Sequence, residues 1–207
     1  MGTKIRCDWA SSHSDYFEYH DQDWGVPEEH DHMVFEKLCL ELFQSGLSWR
    51  TILNKRENFR KAFNEFDVYG VSRFSEPQIA KLLDNKGIVR HRGKIEAVVH
   101  NAIRAKELIE EFGSLNHYFW SFEDMESKSD RSDSDASKTK TSTLISKDLK
   151  KRGWKFVGAT TIYSFMQSLG IVNDHDSHCF RFGKVQRKIT SFKSMDKMLL
   201  PKAKWTF

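Results

Sequence analysis

The sequence has few cysteines, few prolines and no long hydrophobic run. With only three cysteines among 207 residues, the chain does not have the disulfide framework typical of small secreted proteins. The three prolines leave long stretches free to form helices. No apolar run is long enough to cross a membrane, and the first residues lack the apolar core of a signal peptide. We therefore expect an intracellular protein without a membrane anchor, cytoplasmic in a prokaryote and nuclear or organellar in a eukaryote.

The basic residues are concentrated at the C-terminal end. Residues 181–207 contain eight basic residues and one acidic residue and carry a net charge of +7, whereas residues 1–180 carry −3. We therefore divide the chain into one main domain, 1–180, and a basic C-terminal extension, 181–207. Such an extension could contact a polyanion, or it could simply be solvated.

Hydrophobic periodicity predicts an all-α fold. In residues 32–44, "HMVFEKLCLELFQ", apolar side chains recur at offsets of three and four, as on one face of a helix. Residues 50–66 repeat this pattern. Further helices are predicted over 76–86, 92–112, 143–152 and 161–169, and glycines stand at their ends. Residues 126–142 are almost entirely polar and predict a surface loop. No alternating strand pattern is present.

Cysteine and histidine occur near both ends of the chain. The segment "VNDHDSHC" places His175 and Cys179 four residues apart, and Cys7 and His20 lie near the N-terminus. Two cysteines and two histidines match the ligand set of tetrahedral zinc. From spacing alone the set stays open, because His178 competes with His175, and three other histidines compete with His20. These are His13, His30 and His32.

Long blocks of the sequence closely resemble the DNA-3-methyladenine glycosylase I family. They include "YFEYHDQDWGVP", "CLELFQSGLSW", "GIVRHRGKIEAVVHNA", "LISKDLKKRGWKFVG" and "YSFMQSLGIVNDH". The resemblance runs from Cys7 to about Cys179 and implies the all-helical helix-hairpin-helix DNA glycosylase fold. It also implies one structural zinc ion that joins the N- and C-terminal segments through Cys7, His20, His175 and Cys179. A set of four protein ligands leaves no open position for catalysis.

The resemblance implies a base-excision enzyme. The expected substrate is double-stranded DNA that contains alkylated adenine, and the enzyme is expected to be a monomer. It is expected to flip the damaged nucleotide out of the duplex and to hydrolyse the N-glycosidic bond of 3-methyladenine, which leaves an abasic site. Glu41 is the implied base-recognising carboxylate, and Tyr19 and Trp49 are its aromatic partners. Trp9 and Trp24 are expected near the pocket, although Trp24 could equally be a packing residue. No lysine is placed to suggest a lyase step.

DNA contacts are expected at two turns. "KFVGATT" looks like the glycine-containing turn of the hairpin, where Lys155, Gly158 and free backbone N–H groups can meet phosphate. In "SGLSW", Gly46 and Leu47 are expected to fill the gap that the flipped base leaves, although Leu47 could instead pack within its loop. Asp174 is expected to orient the chain beside the metal ligands and not to activate water.

One segment departs from the family pattern. After Glu41, small or amide residues are common in the family, whereas this chain has Leu42 and Phe43, and Ser45 replaces a frequent alanine. A bulky Phe43 could fill part of the pocket. The alternative is therefore a zinc-stapled DNA-binding protein with weak or lost glycosylase activity, against which Glu41, Tyr19 and Trp49 all argue.

Overall fold

A computed structural model describes residues 4–122 and 137–196 of the protein, and within these ranges the chain forms α-helices and short 3-10 turns but no strand. None of the described helices is long and apolar enough to cross a membrane. The helices are α1 (Asp8–Ser11), α2 (Phe17–Gln22), α3 (Asp31–Gln44), α4 (Trp49–Leu53), α5 (Arg56–Ala62), α6 (Val68–Val71), α7 (Glu76–Asp84), α8 (Arg92–Phe112), α9 (Leu115–Trp120), α10 (Lys140–Lys151), α11 (Ala159–Leu169) and α12 (Phe182–Asp196).

The predicted all-α class is confirmed, and the predicted glycines end two of the long helices. Gly113 after α8 and Gly170 after α11 adopt φ angles of +84° and +79°, a left-handed conformation that glycine adopts without a side-chain penalty. The pattern over residues 50–66 is broken into α4, α5 and a 3-10 turn, Asn64–Phe66. All three residues of this turn have positive φ, which cannot continue a right-handed helix.

Helix α3 lies at the centre of the fold. All ten of its residues from 34 to 43 are buried, and it packs against α4, α6, α8, α9 and α11. Enclosure on every side means that the charged residues of α3 are buried along with its apolar ones. These are Glu36, Lys37 and Glu41. Such groups are expensive to bury unless they are paired or used, so α3 directs attention to the functional site.

The predicted C-terminal extension is partly a core helix. Val185, Ile189 and Phe192 on α12 are buried in the main hydrophobic cluster. The boundary placed after residue 180 is therefore not a boundary in packing, because an apolar helical face follows it among the basic residues. Residues 197–207 lie outside the described residues. So does most of the predicted surface loop over 126–142, whose last residues, 140–142, begin α10.

Helices α10 and α11 pack against each other and are joined by residues 152–158. Gly153 and Phe156 in this turn have φ angles of +85° and +58°, and the Phe156 side chain is exposed. Gly158 is the N-cap of α11 and has no side chain to cap the helix. The first N–H groups of α11 therefore lack a side-chain cap.

Candidate functional site: a buried carboxylate, an aromatic cluster and a Cys–His group

Glu41 is a buried carboxylate on α3. Its side chain is 6% exposed, and Oε2 accepts no hydrogen bond from any described residue. Burial raises the pKa of Glu41 to about 8, while the positive charge of Lys37, one turn earlier on α3, acts to lower it. A buried carboxylate oxygen without a donor is costly. Its presence therefore favours a binding role for Glu41 over a packing role.

Tyr19 lies within reach of the charge of this carboxylate, and Trp49 packs on Tyr19. Tyr19 comes from α2, and Trp49 is the first residue of α4, where the Ser48 side chain caps the helix by accepting from the Thr51 N–H at 3.3 Å. The two ring centroids are 5.1 Å apart. Burial of the phenol, and then the nearby charge of Glu41, hold the pKa of Tyr19 well above its usual range. The indole N–H of Trp49 is buried and has no partner among the described residues. The site thus offers flat faces with an unused acceptor and an unused donor.

Trp9 and Trp24 extend the aromatic cluster away from Glu41. The centroid of Trp9 lies 6.4 Å from that of Tyr19 and 5.0 Å from that of Trp24. Trp24 in turn packs edge-on against the imidazole of His175, with ring centroids 4.6 Å apart. Trp9 therefore borders the Tyr19 side of the site, whereas Trp24 packs between Trp9 and His175.

The bulky residues after Glu41 do not enter the aromatic site. Phe43 is fully buried and packs on Phe59, with ring centroids 4.5 Å apart, and on Phe63. Leu42 is also part of the main core. Because Phe43 follows Glu41 by two residues, it projects from a different face of α3. At Leu42 and Phe43 the departure from the family pattern therefore falls in the main core.

A largely buried group of charges is built around Lys37, one turn from Glu41 on α3, and the sequence analysis did not identify it. Lys37 donates to the Asp23 carboxylate and, at 3.1 Å, to the carbonyl of Ser168. Arg56 bridges Asp23 and Glu36. Arg60 completes the group with a bond of 2.8 Å to Glu36. The signal in the sequence was a pair of charged residues, "EK", inside the apolar stripe of α3.

Four sulfur and nitrogen atoms from the two chain ends converge beyond Trp24. The Cys7 Sγ lies 3.4 Å from the His175 Nδ1, and the Cys179 Sγ lies 3.5 Å from the His20 Nε2 and 3.7 Å from the His175 Nδ1. Tetrahedral zinc with bonds of about 2.3 Å to sulfur and about 2.0 Å to nitrogen separates such ligand atoms by about 3.5 Å. All four candidate atoms lie within 4.8 Å of one another. The geometry fits a tetrahedral metal ion.

The groups around these four side chains orient them towards one centre. The second ring nitrogen of His20 lies 2.9 Å from Asp21, and that of His175 lies 3.2 Å from the Trp24 carbonyl. Acceptors at these positions keep the opposite nitrogen of each ring directed at the centre. Burial lowers the pKa of His20 and lowers that of His175 to about 4. Both rings are therefore neutral near pH 7, as metal ligands must be.

The cysteine sulfurs receive backbone hydrogen bonds. The N–H of Asp176 donates to the Cys7 Sγ at 3.3 Å, and the N–H of Arg181 donates to the Cys179 Sγ at 3.4 Å. At Cys7 this donor acts to lower the pKa of the thiol, but burial raises that pKa overall, so binding of a metal ion to this sulfur would release a proton. Arg6 supports the arrangement by donating two hydrogen bonds to Asp21, the carboxylate behind His20.

The competing histidines lie elsewhere. His178 is 55% exposed in its side chain and sits 3.9 Å from Asp176. His30 pairs with Glu28 at the start of α3, and neither His13 nor His32 belongs to the converging group. Asp174 accepts hydrogen bonds from Tyr163 and Gln167 on α11. This is a structural arrangement of the kind expected for it.

Helix α8 contacts both turns that were predicted to bind DNA. Near its start, the buried ammonium of Lys94 donates to the carbonyls of Phe43 and Ser45, just before Gly46. Asn101, seven residues later and on the same face, binds both backbone groups of Lys155, at 2.8 Å to the N–H and 2.9 Å to the carbonyl. Seven residues correspond to about 10 Å along the helix axis. One rigid element thus sets the distance between the two turns.

The tip before α4 is exposed. Leu47 is 42% exposed, so part of its side chain is available to a partner outside the loop. Gly46 has a φ angle of +79°, and no atom lies within 4 Å of the position where its Cβ would be. The neighbouring basic segment "RHRGK", residues 90–94, is not a free patch, because Lys94 is buried, Arg92 pairs with Glu76 and Glu96, and His91 caps α8.

An all-helical protein with an unpaired buried carboxylate beside aromatic rings is suited to bind a flat ligand that carries hydrogen-bond donors, such as a base. The comparisons with known proteins identify the family. The sequence profile of the methyladenine glycosylase family matches residues 9–182, and the chain belongs to this family.

Several relatives match over most of their length. The chain is 44% identical to the DNA-3-methyladenine glycosylase of Haemophilus influenzae over 84% of this chain and 96% of the relative. It is also 44% identical to DNA-3-methyladenine glycosylase 1 of Escherichia coli K12, over 84% of this chain and 95% of the relative. A crystal structure of a 3-methyladenine DNA glycosylase I superposes with a TM-score of 0.77 at 46% identity, covering 85% of this chain and 98% of the other.

A more distant structure shows the same fold. The 3-methyladenine DNA glycosylase I of Staphylococcus aureus, studied for its recognition of 3-methyladenine, has a TM-score of 0.78 at 33% identity, over 87% of this chain and 98% of the other. The predicted family and the predicted glycosylase-like helical fold are confirmed.

Proposed function

We propose that the protein is a DNA-3-methyladenine glycosylase that flips the damaged nucleotide out of double-stranded DNA and hydrolyses its N-glycosidic bond. Family membership supports the reaction class. The observation that carries the assignment to this chain is the buried Oε2 of Glu41, which has no hydrogen-bond donor of its own. A ligand that brings a donor would satisfy it.

Base recognition rests on charge and stacking. Alkylation at N3 makes adenine a cation on the sugar, and its exocyclic amine is a hydrogen-bond donor. Glu41 accepts from the amine, and Tyr19 and Trp49 provide aromatic faces that favour a flat cation. Trp9 borders the same site. Neutral adenine should bind less tightly, because an uncharged base attracts the buried carboxylate more weakly than a cationic base does.

Bond cleavage needs little acid catalysis. When the glycosidic bond breaks, the leaving base takes the bonding electron pair and becomes neutral, so no proton has to be delivered to it. The enzyme's residues hold the extruded base and exclude competing bases. Asp174 takes no part in this account, because its carboxylate is bound by Tyr163 and Gln167. Hydrolysis leaves an abasic site.

Duplex DNA is engaged at the two turns that α8 connects. We assign α10, residues 152–158 and α11 to a helix-hairpin-helix motif, in which Lys155 and the backbone N–H groups after Gly158 bind phosphate. The exposed Leu47, with Gly46 allowing close approach, inserts into the gap that the flipped base leaves. Each enzyme molecule offers one complete site, so a monomer suffices.

One zinc ion held by Cys7, His20, His175 and Cys179 completes the proposal. Such an ion supplies structural stabilisation, since four protein ligands leave no position for water. Two of these ligands are close in sequence to aromatic residues of the base site: Cys7 precedes Trp9 by two residues, and His20 follows Tyr19 directly. The metal-binding residues therefore position the walls of the base site as well as joining the chain ends.

The decisive experiment is release of 3-methyladenine from methylated duplex DNA by the purified protein. We expect release by the wild-type protein and a large loss in Glu41→Gln. The matched control is Glu57→Gln, which removes an exposed carboxylate. No release at high enzyme concentration, with duplex binding intact, would instead support the alternative of a DNA-binding protein without glycosylase activity.

A further inference from the structure

Lys37 is a buried cation that the proposed base-excision chemistry leaves unexplained. Its side chain is only 5% exposed, although it lies in the middle of the central helix. The ammonium is anchored from two other segments, by the Asp23 carboxylate after α2 and by the Ser168 carbonyl near the end of α11. A lysine with a flexible stem is thus held in one place, and apolar packing would be cheaper.

Lys37 and Glu41 are one helical turn apart. Residues separated by four positions lie on the same helix face, about 6 Å apart along the axis. Both are buried, so water screens their interaction weakly. Glu41 has an oxygen without any donor among the described residues. The ammonium is therefore the nearest favourable charge that its own helix can provide.

The surrounding charges leave room for one more carboxylate. In this largely buried group three cations, Lys37, Arg56 and Arg60, face two carboxylates, Asp23 and Glu36. The further partner of Arg60, Glu57, is solvent-exposed. An ionised Glu41 balances the excess positive charge. Other ionisable groups near this end of α3 are engaged separately: the Tyr19 phenol is neutral, Arg50 pairs with Asp15, and Lys94 binds carbonyls.

We propose that Lys37 is a positioning residue that acts through Glu41: its fixed ammonium, one turn away on the same buried helix, favours the ionised form of Glu41 that a cationic base requires, and so determines the preference for such a base. Without this charge, burial would favour the protonated form of Glu41 still more strongly, and a protonated carboxyl group loses its electrostatic preference for a cation. Asp23 opposes the effect, because its negative charge offsets that of Lys37. This inference rests on the proposed role of Glu41.

The test is the pH profile of single-turnover excision from methylated duplex DNA, whose lesion stays cationic at all pH values used. The rate should fall on the acid side as Glu41 is protonated. Lys37→Gln, which can still donate to Ser168, should move this acid limb to higher pH, by about 1 to 2 on the pH scale given the charge separation. The rate at pH 7 should then fall by a factor of about 10 to 100. Lys37→Arg should keep the wild-type limb.

Asp23→Asn provides a prediction of opposite sign. Removing this carboxylate leaves the Lys37 charge uncompensated, so the acid limb should move to lower pH. Glu41→Gln should have no such limb. A purely structural role for Lys37 predicts lower rates with an unchanged limb.

The outcomes separate the two levels of the argument. An inactive wild-type protein contradicts the proposed function itself. If the wild-type protein is active but Lys37→Gln leaves the acid limb of the pH profile unchanged, the proposed role of Lys37 is overturned. It is also overturned if the acid limb moves in the same direction in Lys37→Gln and in Asp23→Asn. Should Lys37→Gln fail to fold, Asp23→Asn decides alone, and a limb that does not move to lower pH overturns the inference.

Discussion

The substitution Glu41→Gln removes one charge from α3 and leaves the size of the side chain almost unchanged. Two effects of opposite sign are expected from the structure. The carboxylate accepts a charge-assisted hydrogen bond from the base, worth roughly 1.5–3 kcal/mol, so affinity for 3-methyladenine should fall by about one to two powers of ten. Excision from methylated DNA should fall as well, without vanishing, because the cationic leaving group is already activated.

Stability should change in the other direction. Burial raises the pKa of Glu41 to about 8 from its ordinary value of 4.5, so the folded state holds a proton that the unfolded chain has lost over this pH range. The free energy of unfolding therefore falls as the pH rises from about 4.5 towards 8, by roughly 3 kcal/mol at pH 7 as an order of magnitude. Glutamine does not ionise and escapes this penalty.

Thermal unfolding at pH 5 and at pH 8 measures the effect. The melting temperature of Glu41→Gln should exceed that of the wild type by several degrees at pH 8 and by less at pH 5, since roughly 1 kcal/mol corresponds to 2–4 °C in a chain of this size. Binding of 3-methyladenine, followed by tryptophan fluorescence, gives the second readout. A variant with unchanged base affinity and a strongly lowered melting temperature would show that Glu41 is a structural carboxylate, and the reasoning would be refuted.

Further predictions address the metal and the DNA contacts. Metal analysis of the purified protein should find about one zinc per chain, and a chelator should lower the melting temperature. The variant His175→Ala should lose the metal, whereas the control His178→Ala should keep it. Full folding without zinc would contradict this prediction. Leu47→Ala should slow excision from duplex DNA about tenfold and leave excision from single strands unchanged. The control Ile103→Ala, at another exposed apolar position, should affect neither rate. Equal losses on duplex and single-stranded DNA would show that Leu47 does not insert into the duplex. Asn101→Leu removes two hydrogen bonds to Lys155 and should lower the free energy of unfolding by about 1–3 kcal/mol. Duplex binding should weaken while the affinity for the free base stays unchanged. Unchanged duplex binding would show that the 152–158 turn does not contact DNA.

Local sequence patterns accounted for the helices and for the residue types of the site. Periodicity of three and four located α3, and glycines located the ends of α8 and α11, because these signals depend on neighbours along the chain. The continuous pattern over residues 50–66 misled, since three consecutive residues with positive φ interrupt it. Likewise, the net charge of residues 181–207 concealed the apolar face of α12, because total charge carries no information about which side of a helix is buried.

Family resemblance selected residues that the tertiary structure then brought together. Cys7 and His175 are 168 positions apart in sequence, yet their ligand atoms lie 3.4 Å apart. Spacing alone could not separate His175 from His178, because both precede Cys179 within one turn. Only the folded chain shows that the rings of His20 and His175 are oriented by Asp21 and by the Trp24 carbonyl.

The sequence by itself determined the helical class, the family and the chemical groups available, because these follow from local pattern and from motif order. The tertiary structure decided the state of those groups. Glu41 lacks a donor, Phe43 turns into the core, and Lys37 is clamped by Asp23 and Ser168, all through contacts between segments that are distant in the chain. The charge and acidity of a buried group depend on which atoms surround it in space, and no local pattern in the sequence contains that arrangement.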